Sequence, residues 1–167
     1  ALAGGDILPV ILYHIPSVTS VPLSSGLIGR LKAAFPGIVA GLKDSSGDWA
    51  TQAVFLNDHA HDLAVLVGDE RQLAKSIALG GQGTICGLAN FAPDLLRPVV
   101  HEGRNDPRID RIVELVCRYP VLPAVKVLVG HVHGDAGYRP MLPPLEALDD
   151  ATAGTLTAAF DAARVMA

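Results

Sequence analysis

The sequence predicts an α/β fold built on a parallel sheet, and three observations carry that expectation. Short aliphatic runs alternate with segments of helical period through residues 7–101. Aromatic residues make up only 5% of the chain while Gly (17) and Pro (12) are plentiful, a balance suited to many short connections rather than to a β-sandwich. Half of the 167 residues are apolar, enough to cover the core of one domain of ordinary size.

The first element is the aliphatic run Ile7-Leu8-Pro9-Val10-Ile11-Leu12-Tyr13, which reads as a strand buried on both faces and ends at His14-Ile15-Pro16. Ser24 is placed to cap a helix in which Leu27, Ile28, Leu31 and Phe35 recur at helical spacing, and Pro36-Gly37 stops it. Residues 38–43 form a second strand. A polar loop over 44–48 leads into a helix over 50–59, with Ala53, Val54 and Phe55 available for burial. Residues 63–67 are a third strand, after which Gly68-Asp69-Glu70 opens a helix that runs through Leu79. Gly80-Gly81-Gln82-Gly83 breaks that helix, 84–87 is a weaker fourth strand, and Pro93 starts a helix toward His101. Four βα units in series imply right-handed crossovers and a parallel sheet.

Beyond Arg104 the strand signal ends. Residues 108–118 form an amphipathic helix with Ile109, Ile112, Val113, Leu115 and Val116 on one face, and 124–132 and 151–166 form two more around a Pro-rich segment. The expected organisation is therefore 1–103 for the βα units and 104–167 for an appended helical region. Four βα units either stand alone as an open sheet or supply half of a closed barrel, which needs about 250 residues. Both architectures gather ligands beyond the carboxyl ends of the strands.

Composition narrows the function. The formal net charge is −4 and the 13 Lys and Arg residues are scattered, so no electrostatic footprint for nucleic acid or an anionic membrane is present. Two cysteines, Cys86 and Cys117, give neither a disulfide framework nor a thiolate metal set, and a reducing, cytoplasmic setting is expected. The run 7–12 is too short to span a bilayer, and no basic segment with a cleavage site precedes it. His59-Ala60-His61 and His131-Val132-His133 look superficially like metal ligands, but i, i+2 histidines near helix ends point apart. Gly80 to Gly83 precedes a strand, the wrong context for a phosphate loop. A small-molecule ligand is the expected partner.

The strand ends then hold the chemistry. Lys43 ends an apolar strand, and desolvation at such a mouth disfavours an ammonium. A neutral amine there is a nucleophile for carbonyl carbon, giving an imine that serves as an electron sink. The same residue also reads as an ordinary lysine whose ammonium reaches solvent along its stem. Tyr13 closes the preceding strand, where its hydroxyl either moves protons for the amine or is merely satisfied at the rim of the core. What favours the chemical reading is that both residues close neighbouring strands.

The segments Leu12-Tyr13-His14-Ile15-Pro16-Ser17 and Gly41-Leu42-Lys43-Asp44-Ser45-Ser46-Gly47-Asp48 resemble the dihydrodipicolinate synthase and N-acetylneuraminate lyase superfamily of Schiff-base aldolases. Val67-Gly68-Asp69-Glu70, Gly83-Thr84-Ile85 through Asn90 and Pro93, Pro123-Ala124-Val125-Lys126 and the segment 138–145 keep that family's order and spacing, so the resemblance covers nearly the whole chain. It implies a (β/α)8 barrel followed by helices, of which this chain would supply strands five to eight and the C-terminal helices. It implies that Lys43 forms the imine with pyruvate or a pyruvate-derived 2-oxo acid and that Tyr13 relays protons. Ser45, Gly68, Asp69, Thr84 and Ile85 would line the substrate pocket. The implied chemistry is metal-independent and needs no cofactor, and the assembly is a homo-oligomer.

Two departures qualify the resemblance. The family's N-terminal half, with its Gly-Thr-Thr-Gly-Glu type loop for the keto acid carboxylate, has no counterpart here, so the chain by itself is expected to be inactive. Dihydrodipicolinate synthases proper also carry an Arg two residues after the Pro, where this chain has Val18; loss of that charge points toward a sugar-acid or other 2-oxo acid aldolase or dehydratase. Two readings compete with the enzyme: a catalytically incompetent fragment or pseudoenzyme with an association role, and a self-contained flavodoxin-like binding domain.

Overall fold

A computed structural model of the chain describes residues 8–165, so Ile7 and Met166, expected to begin a strand and to end a helix, lie outside the described residues. The chain divides into two compact units that part between Ile85 and Cys86.

In the first unit, β1 (Val10–His14), β2 (Val39–Asp44), β3 (Ala64–Val67) and β4 (Gly83–Thr84) form one parallel sheet in the order β1-β2-β3-β4. Between them lie the one-turn helix α1 (Pro16–Thr19), α2 (Ser25–Ala34), α3 (Trp49–His59), a 3-10 turn (Glu70–Gln72) and α4 (Leu73–Ala78). Ser24 caps α2 by accepting from the Leu27 amide at 3.2 Å. Asp48 caps α3 through the Ala50 and Thr51 amides. Each side chain satisfies amides that a helix start would otherwise leave without partners. Phe35 does not join the buried stripe of α2: it is the C-cap and 47% exposed, because the residue before a proline is pushed out of the helical region.

The strand alternation sets two rows. Leu12, Leu42 and Val65 face the helices and pack with Ile28, Phe55, Leu56 and Leu63, and Val67 is buried on the same face. Ile11, Tyr13, Gly41, Lys43 and Leu66 share the other face. β1 is thus buried on one face only, contrary to the expectation from its continuous aliphatic run, and Ile11 and Tyr13 are 38% and 48% exposed. The helices pack on the opposite side, and hydrophobicity alone does not say how many faces are covered.

The buried stripe of α3 is Gln52, Phe55, Leu56 and His59, at the i, i+3, i+4, i+7 positions of a helix. Val54, expected to be buried, is 48% exposed because it falls off that stripe. Gln52 is satisfied in part by donating to Ser76 Oγ at 3.2 Å, and the His59 ring sits 3.0 Å from Ser25 Oγ. The fourth strand covers only Gly83–Thr84 rather than 84–87. Ile85 still donates to the Val67 carbonyl, but the chain then turns into a 3-10 segment (Leu88–Asn90) tied by Asn90 to the Cys86 and Gly87 carbonyls.

The second unit is helical: α5 (Pro93–Glu102), α6 (Pro107–Val116), α7 (Val121–His133) and α8 (Asp150–Val165). Its core holds Leu95, Leu96, Val99, Ile109, Ile112, Leu128, Leu156 and Phe160, all nearly or fully buried. Phe160 meets Phe91 edge to face at 5.5 Å. Arg164 of α8 pairs with Asp94 of α5 at 2.7 Å. Among the described residues no helix is long and apolar enough to cross a membrane.

Candidate functional site

β1 and β2 end in step. Their register sets Tyr13 beside Lys43 and His14 beside Asp44, so the phenol and the amine rise from the same face at the carboxyl ends of adjacent strands. Lys43 Nζ donates to Tyr13 Oη at 3.1 Å, and the same nitrogen stands 4.2 Å from the centre of the Tyr13 ring. Gly41 lets the strands approach below this pair: a Cβ there would overlap the Ala64 carbonyl oxygen and come within 2.9 Å of the Ala64 Cβ.

The residues after Lys43 alternate between the faces. Asp44 is buried on the helix side, where it accepts from the Ser46 amide at 2.8 Å and the Ser46 hydroxyl at 3.1 Å. Two backbone bonds extend the ladder past the strand ends, from the Ser45 amide to the His14 carbonyl at 2.8 Å and from the Gly68 amide to the Asp44 carbonyl at 2.7 Å. Ser45 therefore follows Lys43 on the open face, next to Gly68. A Cβ on Gly68 would occupy the place of Ser45 Oγ and lie 2.9 Å from the Asp44 carbonyl oxygen, so only glycine lets the hydroxyl sit there.

The electrostatics centre on the phenol. Burial pushes Tyr13 up, but hydrogen bonds with Ser45 and Lys43, together with the Lys43 charge, outweigh it and hold the phenol below its ordinary value. His14, between Tyr13 and Ile15, is structural: it is buried, its Nδ1 accepts from the Leu23 amide at 3.0 Å, and its ring meets Phe55 edge-on at 5.3 Å. Nothing in the periodicity of β1 signals that anchor. A single buried histidine before a Pro-containing loop is the one hint.

The other expected pocket residues fall in different places. Asp69 caps the 3-10 turn Glu70–Gln72 and grips Arg71 with both oxygens, at 2.9 Å and 2.7 Å. Burial raises its pKa, but the Arg71 hydrogen bonds and charge prevail and the carboxyl lies below the usual range. Thr84 stands in register with Val67, in the helix-side row, and donates its hydroxyl proton to the Val67 carbonyl at 2.7 Å. Ile85 is 48% exposed. The structure thus joins Tyr13, Lys43, Ser45 and Gly68 on one face and engages Asp69 and Thr84 in local bonds.

The histidine pairs find other partners. His59 contacts Ser25, His61 is 3.5 Å from Asp62, His131 pairs with Asp161 at 2.9 Å, and His133 stacks on Tyr138. Among the described residues no three His, Cys, Asp or Glu side chains converge as a metal site would require.

Comparison with known proteins identifies the family and the fold. The model of the dihydrodipicolinate synthetase family matches residues 1–158. An uncharacterized DapA-like lyase of Chloroflexus aurantiacus is 32% identical over 97% of this chain and 56% of its own length. The crystal structure of dihydrodipicolinate synthase from Agrobacterium tumefaciens superimposes with a TM-score of 0.89 at 48% identity, covering 95% of this chain and 55% of that one. A 2-keto-3-deoxygluconate aldolase variant from Sulfolobus solfataricus, 20% identical, shares the fold with a TM-score of 0.78 over 93% of this chain and 54% of its own. The chain spans about half the length of the relatives it matches. Its four βα units and following helices are a partial (β/α)8 barrel, which sets aside the self-contained flavodoxin-like reading. The chain belongs to the dihydrodipicolinate synthetase family.

Proposed function

We propose that this chain carries the imine-forming machinery of a class I, metal-independent aldolase or lyase acting on pyruvate or a pyruvate-derived 2-oxo acid. The observation that supports this reading is the 3.1 Å hydrogen bond from Lys43 Nζ to Tyr13 Oη at adjacent strand ends. The reacting pair is the Lys43 amine with its lone pair free and the Tyr13 phenol holding the proton at the other end of that bond. The amine attacks the ketone carbon to give a carbinolamine. Tyr13 gives its proton to the carbinolamine hydroxyl, which leaves as water, and the nitrogen keeps the carbon as an iminium. The iminium then takes up the electron pair released when the adjacent carbon–carbon bond breaks or a proton leaves.

Ser45 and Gly68, on the Lys43 face, border the substrate in this reading, with Ile85 exposed beyond β4; Thr84 on the helix side and Asp69 held by Arg71 serve the pocket only by fixing its backbone. Val18, 74% exposed in α1, supplies no charge for the carboxylate of a second substrate. That favours a sugar-acid or other 2-oxo acid aldolase or dehydratase over a dihydrodipicolinate synthase proper. The cytoplasm is the proposed setting. Among the described residues each of β1 and β4 has a strand on one side only, so the chain is proposed to self-associate; light scattering at rising concentration checks this, and a monomer at every concentration would contradict it.

The exposure of Tyr13, 48%, favours a second reading in which the chain alone does not turn over and the same residues serve association. Exchange of the pyruvate methyl protons in heavy water separates the two. The enzyme reading expects exchange, lost in Lys43→Ala, when the chain is joined to the N-terminal half of a family barrel, whereas absence of exchange even then favours the second.

A further inference from the structure

We propose that His14 is a positioning residue: its imidazole, unprotonated at Nδ1, pins the segment between β1 and α2 to the end of β1, and uptake of a proton there releases that segment beside Tyr13 and Lys43. The effect on chemistry rests on the imine-forming reading, whereas the tie itself does not. His14 ends β1, follows Tyr13 directly and is 3% exposed. The Leu23 amide donates to its Nδ1 at 3.0 Å. An amide N–H only donates, so that nitrogen carries no proton and the hydrogen of the neutral ring is on Nε2. Phe55 of α3 meets the ring edge-on at 5.3 Å, and the His14 carbonyl accepts from the Ser45 amide at 2.8 Å. One residue thus joins the end of β1, the loop after Lys43 and the far end of the segment 15–23.

The segment has little else to hold it. Its helix α1 buries none of its four residues. Its other bonds are local: the Ser20 amide to the Pro16 carbonyl at 2.9 Å, the Thr19 hydroxyl to the Ile15 carbonyl at 3.1 Å, and the Val21 amide to the Thr19 hydroxyl at 3.3 Å. Ser20 stands at φ 55°, a left-handed conformation that a side chain disfavours. Such a stretch opens easily once a buried tie is lost. A second proton on the ring goes to Nδ1 and turns the acceptor into a donor facing the Leu23 donor, so the bond cannot persist. The titratable side chain beside the ring on β2 is the register partner Asp44, buried and accepting from the Ser46 amide and hydroxyl. The titratable groups of α3 are engaged elsewhere, Asp48 with the amides of its own first turn and Asp58 and His59 with Ser25. Tyr13 points to the other face of the sheet. His14 does not touch the reacting carbon; it acts by fixing the end of β1 from which the phenol rises.

The test is hydrogen exchange of the Leu23 amide, followed by NMR with 15N-leucine in the chain joined to the N-terminal half of a family barrel. Between about pH 8 and about pH 5, the range in which imidazoles gain their charge, protection of Leu23 is expected to fall at least about fivefold after correction for the intrinsic effect of pH on exchange. Leu42, within β2, is expected to keep its protection. In His14→Asn the amide oxygen stands as far along the side chain as Nδ1 and accepts without titrating, so Leu23 is expected to stay protected throughout. Protection of Leu23 that ignores pH, that falls together with Leu42, or that falls equally in His14→Asn overturns the proposal. If His14→Asn does not fold, the unaltered protein decides alone: the loss of Leu23 protection must share its midpoint with the titration of the His14 ring. A parallel arm measures reductive trapping of pyruvate on Lys43, which is expected to drop about fivefold further under acid in the unaltered protein than in His14→Asn. No trapping at any pH contradicts the imine-forming reading, while the exchange arm still decides the function of His14.

Discussion

The Lys43 amine donates to the Tyr13 phenol across the β1–β2 boundary at 3.1 Å, and the two residues are direct register partners. In a parallel pair, side chains in register rise on the same face. The contact is therefore built into the sheet and does not depend on a flexible loop. A one-residue slip of β1 would send Tyr13 to the helix side and break it.

Removing the phenol tests that coupling. Tyr13→Phe is expected to slow formation of a reducible pyruvate adduct on Lys43 by about a hundredfold, the low end of what positioned acid–base groups contribute. Stability should change by less than about 1 kcal/mol, because the hydroxyl sits on an open face. Timed borohydride quenching followed by mass spectrometry gives the rate, and urea unfolding gives the stability.

Gly41 tests the close approach of the strands beneath the pair. Gly41→Ala introduces a Cβ that would overlap the Ala64 carbonyl oxygen and crowd Ile11 Cδ1 at 3.0 Å. Overpacking of this kind costs about 1–3 kcal/mol. The midpoint of urea denaturation should fall accordingly, and an unchanged midpoint would show that β2 and β3 stand farther apart.

Asp69 makes stability depend on pH. Its folded-state pKa lies below the ordinary carboxylate value because the Arg71 bonds and charge outweigh the cost of burial. The unfolded state thus holds the proton more tightly, so the stabilisation is fully present above the unfolded value of about 3.9 and is lost as pH falls through the folded one. Asp69→Asn should be less stable than the unaltered chain at neutral pH, and the difference should narrow under acid. Chemical denaturation at pH 7 and at pH 3 reads it, and a constant difference would contradict the assignment.

Phe160 tests the helical unit. It is 1% exposed and meets Phe91 and His131 edge to face at 5.5 Å and 6.3 Å. Phe160→Ala should cost about 3–5 kcal/mol through lost burial and the cavity left behind. Loss of helical circular dichroism at lower temperature is the expected sign.

The sequence makes the βα alternation legible because aliphatic runs and helical stripes differ in period. The adjacency of Tyr13 and Lys43 is legible as well, since neighbouring parallel strands that end in step place their penultimate residues side by side. The relation of Ser45 to Gly68 is not. It depends on the register between β2 and β3 and on a backbone bond beyond both strands, neither of which leaves a hydrophobic trace. Gln52 and His59 escape for a related reason: they occupy the buried stripe of α3 as polar residues whose partners, Ser76 and Ser25, lie 24 and 34 residues away in sequence. The one-sided burial of β1 likewise could not be read from its composition, because an aliphatic run is equally compatible with one covered face or two.

The central claim, that the Lys43 nitrogen forms an imine with a 2-oxo acid beside the Tyr13 phenol, is tested most directly by adding pyruvate and then borohydride to the chain joined to the N-terminal half of a family barrel and mapping the modified peptide. The account predicts a single reduced pyruvyl group on Lys43, absent from Lys43→Ala. No adduct, or an adduct that persists in Lys43→Ala, would contradict it.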